Sequence, residues 1–127
     1  MVPHRKHTVE AVPGAQHVRV EIGGQVVAES RRPVLVHETG LPVRYYLPPA
    51  DVATDRLEAT VSTTHCPFKG DAAYWSYRDG TGELREDVVW AYPDPLAEVA
   101  AIKDHLCFYD TVADIVVDGV KVAGPGA

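Results

Sequence analysis

Cysteine, basic charge and long apolar runs are all scarce in this chain of 127 residues. Cys66 and Cys107 are too few to build the disulfide framework that staples small secreted domains, so both read as free thiols. Lys and Arg number 12 against 18 Asp and Glu, a formal charge of −6. That is the wrong sign for gripping a phosphate backbone through counterion release, and nucleic acid is not an expected partner. The apolar stretches are only a few residues each, which argues against a spanning helix. Behind the charges of Met1-Val2-Pro3-His4-Arg5-Lys6-His7 stands no apolar segment that could serve as a secretory signal. A cytoplasmic protein without a membrane partner is the expectation.

What the chain does have is core material and hairpins. Apolar residues make up 46% and charged residues 24%, enough to bury a core beneath a solvated surface in one domain. Residues 1–16 hold Pro3, Pro13 and Gly14 without periodicity and read as a loosely ordered lead-in; residues 17–123 read as the domain and 124–127 as a tail. Val18, Val20 and Ile22 alternate with polar residues before Gly23-Gly24 and Gln25–Glu29, a β-hairpin. Val34–Glu38 with Val43–Leu47 predicts a second hairpin, and Ala72–Arg78 with Glu83–Tyr92 a third. The segment Ala50 to Leu57 reads as a connection. Leu96, Val99, Ile102 and Leu106 repeat at helical spacing behind Pro95, with Asp94 as cap and Glu98 in the first turn, and predict one helix. Ile115–Val117, Asp118-Gly119 and Val120–Val122 return to β. The fold class is mostly β, compact antiparallel sheets built from hairpins with one short α-helix.

One stretch does not look like ordinary scaffolding: Thr63-Thr64-His65-Cys66-Pro67-Phe68-Lys69-Gly70-Asp71-Ala72-Ala73-Tyr74-Trp75-Ser76-Tyr77. Together with Arg31-Arg32-Pro33, Glu38-Thr39-Gly40-Leu41-Pro42, Tyr45-Tyr46, Trp90-Ala91-Tyr92-Pro93-Asp94-Pro95 and His105-Leu106-Cys107-Phe108-Tyr109, it resembles the domain-of-unknown-function 427 family of bacteria and fungi. The resemblance runs from about Val18 to Val117 and implies a compact antiparallel β domain with a short helix. A looser likeness reaches β-tent folds, whose members often carry paired Cys-x-x-Cys zinc ligands. This chain has no such pair, so neither a structural zinc nor any other cofactor is expected. The family also bears a nucleotidyltransferase label. The residues lend it no independent support: no glycine-rich phosphate loop ends in Lys-Ser or Lys-Thr, and no acidic pair follows a Gly-Ser turn to hold magnesium.

Candidate site residues cluster in the signature and its companions. His65, read as lying in a loop between strands, has the chemistry of an acid/base near neutral pH, against a reading as a hydrogen-bonded structural histidine. Cys66 is a candidate nucleophile, against a buried thiol; its neighbour His65 points to the opposite face of an extended chain and is poorly placed as its base. Glu38 ends an apolar strand before a Thr-Gly turn and is the candidate general base or acid. Lys69 offers a cation, with Arg44 and Tyr46 on one strand face and Tyr74 and Trp90 on paired strands as the walls of a pocket. In these strands Tyr74, Ser76 and Arg78 share one face, and Ala73, Trp75 and Tyr77 the other. The reading is a small-molecule-binding domain acting by His65 and Glu38 on a ligand with an anionic or carbonyl group. A non-catalytic scaffold with a partner at a strand edge competes with it, and nucleotidyl transfer stands third.

Overall fold

A computed structural model describes residues 6–122. Its strands are β1 (Val9–Pro13), β2 (Val18–Ile22), β3 (Gln25–Ser30), β4 (Val34–Glu38), β5 (Arg44–Tyr46), β6 (Leu57–Cys66), β7 (Gly70–Arg78), β8 (Leu84–Ala91), β9 (Cys107–Phe108), β10 (Asp114–Val117) and β11 (Val120–Lys121). They form three antiparallel sheets, ordered β1-β4-β5, β11-β10-β2-β3 and β6-β7-β8-β9. The chain is mostly β, as its alternating patterns predict.

Turn chemistry explains the hairpins. Gly23 and Gly24 take φ of 58° and 81°, the pair of positive values that a two-residue hairpin turn needs to match strand twist. Asp118 and Gly119 do the same between β10 and β11, at 49° and 83°. The two hairpins lie side by side, β10 pairing with β2 from Asp114 opposite Glu21 to Val117 opposite Val18.

In the sheet β6-β7-β8-β9, strands β7, β8 and β9 are covered on both faces because alternate residues feed two separate cores, while β6 stays largely exposed. Val89, Ala91 and Phe108 pack with Val18, Val20, Ile22 and Val27 of the β2-β3 sheet, with Trp75 lying against them. Tyr74, Trp90, Ala72 and Cys107 point the other way and pack with Val34, Val36 and Tyr46 of the β4-β5 sheet.

Two irregularities re-aim these strands. Pairing of β6 with β7 skips from Ala59 to Thr63 while β7 advances from Trp75 to Ala73. Pairing of β7 with β8 shifts between Trp75 and Tyr77. Asp87, at φ 51°, accepts hydrogen bonds from Thr60 Oγ1 (2.7 Å) and Ser62 Oγ (2.6 Å) and donates its N–H to Ser76 Oγ (3.1 Å). One side chain thereby ties β8 to β6 across β7 at the point where the ladder is broken. The Ser62 and Thr60 hydroxyls hold its carboxyl below the usual carboxylate range.

The structure differs from the sequence reading in three places. Val9–Pro13, expected within a loose lead-in, is a strand paired along β4 from Val9 opposite Glu38 to Pro13 opposite Val34. The helix expected over Leu96–Leu106 is a 3-10 helix of Ala97–Ile102 with a break at Val99, and Leu96 rather than Asp94 occupies the cap position, without a side-chain cap. The fully buried Val99 and Ile102 are three apart, a spacing that a three-residue turn satisfies as well as an α-helix does. The chain then leaves the helix at Asp104, φ 59°, so that Leu106 can exchange backbone hydrogen bonds with Leu47 at 2.8 Å. Third, Leu57–Cys66 is one long strand, so His65 lies within β6 rather than in a loop.

Candidate functional site

Period-two geometry sorts the signature residues. His65 stands opposite Asp71 across the β6–β7 ladder and Cys66 opposite Gly70, so their side chains leave on opposite faces. Thr64 and Cys66 share the face of Ala72 and Tyr74, and His65 takes the other.

On the Tyr74 face lies a closed cluster of polar and aromatic groups. Lys69 Nζ donates to Glu38 Oε1 at 2.5 Å, and each side chain is only 11% exposed. Glu38 Oε2 also meets His7 Nε2 at 3.0 Å, and the His7 ring stacks on Phe68 with centroids 4.3 Å apart. Burial pushes the Glu38 carboxyl up, but the hydrogen bonds of Lys69 and His7 outweigh it and hold the carboxyl below its ordinary range. Deeper in, Trp90 Nε1 donates to the Tyr46 hydroxyl at 3.0 Å, and the two rings meet edge to face. Arg44 lies over the Trp90 ring at 5.7 Å and donates through Nη1 to Asp110 Oδ2 at 3.2 Å. The Asp110 side chain is only 4% exposed, and its Oδ1 has no partner among the described residues. The hydroxyls of Tyr74 and Thr64 are 2.8 Å apart. Burial drives the Tyr46 and Tyr92 phenols well above their ordinary range and the Cys107 thiol up to about 12, so Cys107 is an unreactive core thiol.

Of the residues singled out in the sequence, the structure thus joins Glu38 to Lys69 and joins Arg44, Tyr46, Trp90 and Tyr74 within one core, with Cys66 at its edge. The concavity expected among Tyr46, Tyr74 and Trp90 is filled by their own rings, because the β1-β4-β5 sheet covers that face.

His65 is set apart from Glu38. Its Nδ1 is 2.6 Å from Asp71 Oδ1, with the two side chains 70% and 77% exposed. A proton on Nδ1 satisfies the carboxylate and leaves Nε2 as the lone-pair nitrogen. The pair opens on a cleft of about 320 Å³ whose other walls are Gly70, Pro93, Asp94 and Leu96. Gly70 is required here: its φ is 116°, and a Cβ would come within 3.2 Å of the Asp94 carbonyl oxygen. The close approach lets Leu96 N–H donate to Lys69 O at 3.0 Å and seats the Pro93–Leu96 wall against the hairpin.

The sequence profile of the family described as Domain of unknown function (DUF427) matches residues 10–119. The chain belongs to this family. No curated protein matches the chain.

Two features of this DUF427 domain escape sequence reasoning. Asp71 as the partner of His65 had a signal: a strand carried through to Cys66 and a tight turn at Pro67–Lys69 would have set the two opposite each other. Asp110 and Tyr109 had none, since their contacts with Arg44 and Trp90 span 66 and 19 positions of the chain. Among the described residues no group of three or more His, Cys, Asp or Glu side chains is arranged to hold a metal ion.

Proposed function

We propose that this DUF427 domain binds a small molecule in the cleft beside His65, and that His65 acts there as acid or base with Asp71 orienting its ring. The observation that carries this reading is the 2.6 Å Nδ1–Oδ1 contact on the rim of a cleft. A carboxylate on Nδ1 fixes the tautomer and leaves Nε2 free to exchange a proton, an arrangement common among histidines that act as acid or base. Glu38 drops out as the partner acid because it is engaged by Lys69. Asp71 and Asp94 flank the cleft, so the ligand that fits is a neutral, carbonyl-bearing molecule rather than an anion.

A fragment screen by backbone amide NMR tests the proposal. Hits are expected to move the resonances of His65, Gly70, Asp71 and Leu96. In His65→Gln the hits bind more weakly while the melting temperature stays near that of the parent, because the side chain is exposed. Hits that cluster elsewhere, or affinities unchanged in His65→Gln, would refute it.

The scaffold reading has its own support: Lys69 with Glu38, and Tyr46 with Trp90, satisfy one another inside the core. Loss of stability without loss of binding in Glu38 and Lys69 variants is what that reading requires. Nucleotidyl transfer, to which the family's short name alludes, gains no support from the side chains around either cluster.

A further inference from the structure

On the face of the central sheet opposite the tyrosine cluster, a second cleft of about 250 Å³ opens among Leu57, Trp75, Ala91 and Leu106, with Thr54 and Asp104 at its polar edge. Its walls are apolar, and Asp104 is the single charged residue among those lining it. Asp104 is held by its main chain, which takes φ 59° and donates its N–H to Tyr92 O at 3.2 Å. The carboxylate itself is 61% exposed, and the nearest cation, Lys103 Nζ, stands 3.9 Å away, beyond hydrogen-bond reach. The cleft therefore has Trp75 and Asp104 on one lining, and the Asp104 carboxylate is met only by a long, exposed ion pair with Lys103.

We propose that this cleft binds a small organic ammonium ion, its apolar body among Leu57, Ala91 and Leu106 and its cationic head between the Trp75 ring and the Asp104 carboxylate. An indole face attracts cations through its quadrupole, and a carboxylate beside it adds charge attraction. The chain's formal charge of −6 biases encounter in the same direction. This site lies apart from His65 and does not rest on the reading given above.

The test uses 2-phenylethylammonium and its neutral counterpart 2-phenylethanol, titrated into the ¹⁵N-labelled protein. The chain has two tryptophans, and Trp90 is buried and hydrogen-bonded to Tyr46, so its indole resonance serves as an internal control. The Trp75 resonance, assigned through Trp75→Phe, is expected to shift saturably with the amine while that of Trp90 stays fixed. Asp104→Asn keeps a residue that tolerates positive φ, so the fold holds. It should weaken amine binding about two- to fivefold, the worth of one exposed ion pair, and leave the alcohol unaffected. Lys103→Gln, which removes the competing cation, should bind the amine at least as tightly as the parent. The proposal is overturned if the Trp75 resonance does not move, if Asp104→Asn binds the amine as the parent does, or if the alcohol binds as tightly as the amine.

Discussion

Lys69 Nζ and Glu38 Oε1, 2.5 Å apart and almost out of water, are each other's main compensation for lost hydration. Removing one partner strands the other, and that asymmetry is the usual cost of a buried pair. Lys69→Met is therefore expected to destabilise the domain by about 2 kcal/mol, the loss of a charged hydrogen bond. His7 keeps the remaining carboxylate partly satisfied. Adding Glu38→Gln to that variant should restore part of the loss, because a neutral amide costs less to bury than an unpaired carboxylate. Urea unfolding of the two single variants and the double variant measures the coupling, and additive losses would show that the pair is not a unit.

Elements change character when their neighbours are counted. Strand β1 carries little pattern of its own, yet it pairs residue by residue with β4 and sends Val9 and Ala11 against the tyrosine core. Deleting residues 1–13 is expected to lower the melting temperature and to speed hydrogen exchange at the β4 amides that face β1, while the β2–β3 hairpin in the β11-β10-β2-β3 sheet keeps its protection. Unchanged exchange in β4 would return the segment to the status of a lead-in. The 3-10 helix at Ala97–Ile102 has the same origin: its two buried residues suit a helical face, but Leu106 is taken by its bridge to Leu47 before an α-helix can run on.

Across the whole molecule, the shifted groups set a pH window for stability. Hydrogen bonds lower Asp51, through Arg32 and then Ser30, and Asp87, through Ser62 and then Thr60. At Glu38 burial works upward and is overcome by Lys69 and His7. A carboxyl lowered in the folded state stabilises fully above its unfolded value, about 4, and that contribution is lost as pH falls through the folded value. Burial raises Tyr46 and Tyr92, and lifts Tyr109 and Cys107 to about 12. These acids remain protonated in the fold after they would have ionised in the unfolded chain. Their contribution is full below about 8.5 to 10, the unfolded range, and declines as pH rises toward the folded values. Melting temperature should thus show a plateau from about pH 5 to 8.5 with a fall on each side. A melting temperature still climbing above pH 9 would contradict the buried tyrosines and thiol.

By itself the sequence determined the β2–β3, β4–β5, β7–β8 and β10–β11 hairpins, since strand alternation and glycine-bearing turns act over a few residues and need no distant partner, but it left the β6–β7 hairpin unread. It also determined that His65 and Cys66 part company, a consequence of the pleat alone. Only tertiary structure decided that β7, β8 and β9 are covered on both faces, which makes core of Tyr46, Tyr74 and Trp90. The same is true of Glu38, which lies 31 residues from Lys69 yet spends its charge on it, and of Asp110 beneath Arg44. Such pairings follow from which sheet lands on which face, and no local spacing encodes that choice.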